Sequence, residues 1–271
     1  MRYKPIFVLI PHLYFMNTLH VRLLQTDLVW ENPNANHQHI QALLEATPSS
    51  CDLIVLPEMF STGFSMNPIN VAEEMGGTSM QWMADQANKY QSVVVGSLVI
   101  HAQGQYYNRL IWMSADGTYQ YYDKKHLFAM AGEADHYQAG KQQLLVELKG
   151  WKVMPLICYD LRFPVWSRNT MDYDLLLYVA NWPDKRKMHW QTLLAARAIE
   201  NQAYTIGLNR CGSDANGLYY SGDTAVYDYG GELLGRISHQ EGILDLKLNK
   251  AAQQDYRNKL PFLQDRDNFS F

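Results

Sequence analysis

Short apolar runs of strand length alternate with amphipathic stretches of helix length along this whole 271-residue chain. No internal repeat, low-complexity segment or linker interrupts them. That alternation predicts one α/β domain with its core between sheets and helices. Predicted strands cover Leu19–Leu24, Leu53–Leu56, Val93–Ile100, Tyr106–Ser114 and Thr118–Asp123. Further on, Leu144–Leu148 and Trp151–Ile157 form a hairpin across Lys149-Gly150, followed by strands at Leu175–Val179, Tyr204–Asn209 and Thr224–Asp228. Helices are expected at Asn34–Ala46, at Thr78–Tyr90 with Thr78 or Ser79 as the cap, in a short piece after Pro164, and at Met188–Asn201. The polar tail from about Ala251, with a few aromatics, reads as a frayed terminus or a dimer contact.

Composition excludes several classes. The formal net charge is −4, and the longest basic block is Lys185-Arg186-Lys187, so a nucleic-acid surface is not expected. Three cysteines, at 51, 158 and 211, form no CxxC pair. They argue against a disulfide framework or zinc knuckle and fit a reducing, cytoplasmic compartment. There is no HExxH, and His37 and His39 read as surface residues rather than a metal pair. Pro5 to Pro11 is apolar after Arg2 and Lys4, but it is too short to span a bilayer and carries two prolines. Residues 1–15 are therefore expected to be an N-terminal extension to a domain covering 16–271.

Cys158 ends the run Val153-Met154-Pro155-Leu156-Ile157, and polar residues and Pro164 follow. A thiol at the end of a buried strand sits where backbone N–H groups can surround a reacting oxygen, which suits a nucleophile. It also suits the commoner fate of a small buried hydrophobe. Glu58 follows Leu53-Ile54-Val55-Leu56-Pro57 in the same way, either aimed into a site or solvated in a loop. Lys124, in Tyr121-Tyr122-Asp123-Lys124-Lys125-His126, is a buried cation or half of a solvated basic pair. Glu133 is a loop acid or a partner for that cation.

Taken together and in this order, Leu56-Pro57-Glu58, Tyr122-Asp123-Lys124-Lys125-His126-Leu127 and Ile157-Cys158-Tyr159-Asp160-Leu161-Arg162-Phe163-Pro164 resemble the carbon–nitrogen hydrolase (nitrilase) superfamily. Tyr178 to Pro183 and His189 to Gln202 extend the resemblance, which runs from about Leu19 to about Leu246. It implies a four-layer αββα sandwich and a homodimer. It also implies Cys158 as nucleophile, Glu58 as general base and acid, Lys124 facing the oxyanion and Glu133 supporting them, with no metal or organic cofactor. The backbone N–H of Tyr159 would be the second oxyanion donor.

Phe128 to Tyr137 and Cys158 to Asn169 further resemble the bacterial omega-amidase branch. The implied substrates are the terminal amides of 2-oxo acids, 2-oxoglutaramate and 2-oxosuccinamate, cleaved through a Cys thioester. Such a substrate brings a carboxylate, for which Arg186 is the candidate cation, with Trp182 and Tyr159 lining the pocket or serving as core aromatics. Arg162, on the turn beyond the thiol, reads as a structural ion-pair partner. Other amidases, nitrilases and N-carbamoyl hydrolases share the same three residues. A silent scaffold, or a Cys-His-Asp hydrolase using His126 or His189, are the readings from other classes.

Overall fold

The computed structural model describes residues 17–47 and 49–270; the expected extension at 1–15 lies outside them. One seven-stranded sheet contains β1 (Thr18–Gln25), β2 (Leu53–Val55), β3 (Glu73–Glu74), β4 (Val93–Ala102), β5 (Gln105–Met113), β6 (Tyr119–Asp123) and β14 (Gly242–Asn249). Its order is β14-β1-β2-β4-β5-β6, with β3 paired to β4. A second seven-stranded sheet contains β7 (Val146–Leu148), β8 (Trp151–Ile157), β9 (Leu175–Ala180), β10 (Tyr204–Asn209), β11 (Cys211–Ser213), β12 (Tyr219–Tyr227) and β13 (Leu233–Ser238). Its order is β11-β12-β10-β9-β8-β7, with β13 paired to β12.

The period-two pattern explains the layering. Leu19, Val21 and Leu23 of β1 and Val93 and Val95 of β4 join Val153, Leu175, Leu177 and Ile206 in one core between the sheets. The opposite face of the first sheet, with Ile54, Val94, Leu98 and Ile111, packs on α1 (Pro33–Glu45) and α2 (Thr78–Tyr90) through Ile40, Leu44, Met80 and Met83. On the second sheet, α3 (Lys187–Asn201) presents Trp190, Leu194 and Ala198, spaced four apart along one face. The result is the expected αββα arrangement. Among the described residues no helix is long and apolar enough to cross a membrane.

Several local expectations are corrected. The cap of α2 is Gly77, and the Glu73 carboxylate supplies the missing acceptor, taking Ser79 N at 2.7 Å and the Ser79 hydroxyl. The helical turn near the thiol is a 3-10 turn over Cys158–Arg162, upstream of Pro164 rather than after it. Strand β12 begins at Tyr219, before the expected Thr224, and β14 was not anticipated. His37 is 6% exposed and stacks on Trp82 at 4.9 Å, so it is a core residue; burial lowers its pKa. His39 is partly exposed and pairs with Glu241.

The tail is not frayed at its start. Lys250–Lys259 form α4, where Asn249 accepts from Ala252 N and Gln253 is buried. Gln253 donates to the carbonyls of Asp174 and Gln202, and Arg257 to that of Tyr173. These contacts lie within its own chain.

Candidate active site

Strands β1, β2 and β4 run parallel, β6 returns to the same direction through β5, and β8, β9 and β10 are parallel in the other sheet. Parallel strands end on one side, where α/β folds hold ligands. Glu58 follows β2, Lys124 follows β6, Cys158 follows β8 and Asn181 follows β9. Glu133 opens a one-turn helix, Glu133–His136, that folds back over them.

The Lys124 ammonium sits between two carboxylates. Its Nζ is 2.9 Å from Glu58 Oε1 and 2.9 Å from each oxygen of Glu133. All three side chains are fully buried. Burial alone disfavours the ammonium, but Glu133 and then Glu58 outweigh it and hold the lysine pKa above its usual value. Glu133 is pushed up by burial, against the opposing pull of Lys124, and Glu58 adds repulsion.

Glu58 is held at every oxygen. Asn181 N donates to Oε2 at 2.7 Å, and Asn108 Nδ2 to Oε1 at 2.8 Å. The Asn181 side chain also donates to the Glu58 carbonyl at 2.7 Å.

Cys158 has φ +43°, a left-handed conformation that costs a non-glycine residue about 1–3 kcal/mol. That kink turns β8 into the 3-10 turn and sets the thiol at the floor of a cavity of about 670 Å³. Its Sγ lies 3.9 Å from the Asn181 carbonyl. Burial, reinforced by Glu58 and opposed by Lys124, pushes the Cys158 pKa well up, so the resting group is a thiol.

Tyr159, Trp182 and Arg186 line the same cavity. Arg186 lies over the Phe128 ring at 5.3 Å. Arg162 is a correction. Among the described residues it has no carboxylate within ion-pair distance; it lines the cavity, donates to His189 Nδ1 at 3.0 Å and covers the Trp182 ring at 4.7 Å. Burial first, and the charge of Arg186 as well, lower its pKa. His126 Nδ1 is engaged by Asp160 at 2.8 Å, so among the described residues neither histidine considered as a base is hydrogen-bonded to the thiol.

Sequence reasoning missed Asn108. It donates to Glu58 and, at 3.2 Å, to Glu133, while accepting the Ser97 hydroxyl at 2.8 Å. The signal was present: an amide in the buried half of β5, where a buried polar side chain needs partners. Asn108→Leu removes two donors from buried carboxylates and an acceptor from Ser97. We expect it to cost about 1–3 kcal/mol per stranded group, read as a lowered urea midpoint; an unchanged midpoint would mean these bonds do not form.

Two facing sheets, with a buried glutamate, lysine and thiol at their strand ends, define a carbon–nitrogen hydrolase, and the chain belongs to that family: the Carbon-nitrogen hydrolase model matches residues 20–258. Within the family, it is 46% identical over 257 residues to Omega-amidase YafV of Escherichia coli K12, covering 94% of this chain and 99% of that one. It is 31% identical to the 2-oxoglutaramate amidase of Bacillus subtilis 168 over 90% of this chain and 96% of that one. Among solved structures, XC1258 from Xanthomonas campestris superposes with a TM-score of 0.92 at 41% identity, over 94% of this chain and 99% of that one. XC1258 is described as a CN-hydrolase superfamily protein with an arsenic adduct in its active site.

Proposed function

We propose that this protein is an omega-amidase that hydrolyses the terminal amide of 2-oxo acids such as 2-oxoglutaramate and 2-oxosuccinamate. The observation that carries the chemistry is the buried Glu58–Lys124 ion pair, whose two charges act on the Cys158 thiol where it lines the cavity; the named relatives supply the substrate class.

In the first step the Cys158 sulfur attacks the amide carbonyl while Glu58 takes the thiol proton. The oxyanion faces the Lys124 ammonium and the Tyr159 N–H, which lies in the first turn after the nucleophile, where amides lack intrahelical partners. Glu58 returns the proton to the departing nitrogen, and ammonia leaves a thioester on Cys158. Glu58 then takes a proton from water, the hydroxide adds to the thioester, and collapse frees the 2-oxo dicarboxylate and restores the thiol. Glu133 holds Lys124 on the oxyanion side through charge-assisted bonds. No step calls for a metal or organic cofactor. Three free thiols fit work in the reducing cytoplasm, and we infer a homodimer.

Arg186 and Arg162 supply positive charge on the cavity wall for the substrate carboxylate. A charged hydrogen bond is worth about 1.5–3 kcal/mol. Arg186→Met and Arg162→Met are therefore each expected to raise KM for 2-oxoglutaramate roughly 10- to 100-fold, with little change for an uncharged aliphatic amide. Equal effects on both substrates would remove that arginine from carboxylate binding.

The deciding experiment is ammonia release from the two oxo-acid amides, a simple aliphatic amide, a nitrile and an N-carbamoyl amino acid, with Cys158→Ala as the blank. Turnover of the oxo-acid amides alone supports the proposal. Turnover of another compound alone keeps the chemistry and discards the substrate, and silence throughout discards both.

A further inference from the structure

Asp160 takes no part in the proton transfers above, yet its carboxylate joins both halves of the site. It is fully buried. Oδ2 accepts from Ile157 N at 3.0 Å and from the Tyr122 hydroxyl at 2.8 Å. Oδ1 accepts from His126 N at 3.0 Å and His126 Nδ1 at 2.8 Å. Ile157 is the residue before the nucleophile. Tyr122 and His126 stand two places before and two places after Lys124. Four donors thus converge on one side chain, and they come from the two segments that carry the thiol and the ammonium.

Among the described residues no strand pairing ties those segments together. Cys158 leaves β8 of one sheet and Lys124 leaves β6 of the other, and no ladder joins the two strands. Facing sheets are held by apolar side chains about 10 Å apart, a contact that tolerates small slides. An oxyanion site does not, because a shift near 1 Å in a reacting group can cost about 100-fold in rate. The surroundings of Asp160 make it stiff. Phe163 stacks on the His126 ring at 3.7 Å, and Trp166 Nε1 donates to the Tyr122 hydroxyl at 3.0 Å.

We propose that Asp160 is a positioning residue for the amidase reaction: it pins the Cys158 turn to the Lys124 segment so that the ammonium and the Tyr159 N–H address the same oxygen. This rests on the amidase reading above. An amide cannot replace the carboxylate. Asn at this position presents one acceptor oxygen, and its NH₂ must face either the Ile157 or the His126 backbone N–H, donor against donor.

The test compares wild type, Asp160→Asn, Tyr122→Phe and the double variant, at a temperature where circular dichroism finds each folded. Asp160→Asn is expected to lower kcat for 2-oxoglutaramate about 100-fold with KM within about 3-fold. Iodoacetamide should still label Cys158 stoichiometrically. Tyr122→Phe keeps the carboxylate and most of the packing, and should lose about 10-fold in kcat. Because both act through one network, the double variant should be barely slower than Asp160→Asn. Several results overturn the inference: kcat within about 3-fold of wild type in folded Asp160→Asn, a loss that only tracks the unfolded fraction, a rise in KM at unchanged kcat, or losses that multiply in the double variant. If Asp160→Asn does not fold, wild-type kcat in Tyr122→Phe overturns it alone. A wild type inactive on every amide fails the amidase reading itself, and this inference falls with it; an active wild type with an unimpaired Asp160→Asn fails this inference alone.

Discussion

Glu58→Gln is expected to reduce ammonia release at least about 10⁴-fold, since general acid–base catalysis is worth about 10²–10⁴-fold and this carboxylate serves both acylation and thioester hydrolysis. The substitution is nearly isosteric, but Glu58 accepts from Lys124, Asn108 and Asn181, and an amide has one acceptor oxygen for these donors. Mass spectrometry after mixing with 2-oxoglutaramate should find no acyl-enzyme, as for Cys158→Ala. The thiol itself gives an independent readout. Its raised pKa means that thiolate accumulates only as pH climbs. Labelling of wild-type Cys158 by iodoacetamide should therefore keep rising through the alkaline range, without the plateau below neutrality that a thiolate–imidazolium pair produces. Retention of activity within about 10-fold in Glu58→Gln, or such a plateau, would transfer the role of base to a histidine.

The catalytic candidates were legible because all three obey one rule. Glu58, Lys124 and Cys158 each end a strand-length run, and parallel strands deliver such ends to one side of the fold. Glu133 obeys no such rule; it sits on a single helical turn whose direction depends on the Phe128 N–H bonding its carboxylate at 2.5 Å. Arg162 was misassigned because a sequence gives no distances to carboxylates, and its actual neighbours are His189, Trp182 and Arg186. The turn beyond the thiol was expected, but its helical piece was placed too late, after Pro164, for a related reason. Pro164 suits a helix start, but the chain turns earlier, where Asp160 reaches back to Ile157 N. Helix α4 was illegible to hydrophobic patterning because polar Gln253 and Arg257 anchor it, through hydrogen bonds to carbonyls. Hydrophobic periodicity thus recovered strands and helices, the family resemblance supplied the four layers, and the polar bonds that aim the site had no periodic trace.

Lys124→Met tests the charge balance on which those bonds depend. Three fully buried charges are tolerable here because one ammonium lies 2.9 Å from both carboxylates. Removing one partner of a buried ionic cluster costs about 3–5 kcal/mol, and the lost oxyanion partner adds about 10²–10³-fold in kcat. The distinctive result is the pH dependence of stability. In the wild type the Lys124 pKa is raised on folding, so its contribution is fully present below the usual lysine range and fades only as pH rises through the folded value. In the variant Glu133, already raised by burial, loses the cation that opposed the shift. A folded-state pKa above the unfolded one means the native protein binds the extra proton, so stability is greatest at low pH and falls as pH climbs. Urea unfolding of Lys124→Met should therefore show a midpoint that rises from about pH 8 to about pH 5, relative to wild type over the same range. Adding Glu133→Gln should flatten that slope and recover part of the lost stability, because it removes one of two repelling carboxylates. If Lys124→Met follows the wild-type pH profile, the two carboxylates do not share a buried, cation-dependent site, and the positioning assigned to Glu133 fails with it.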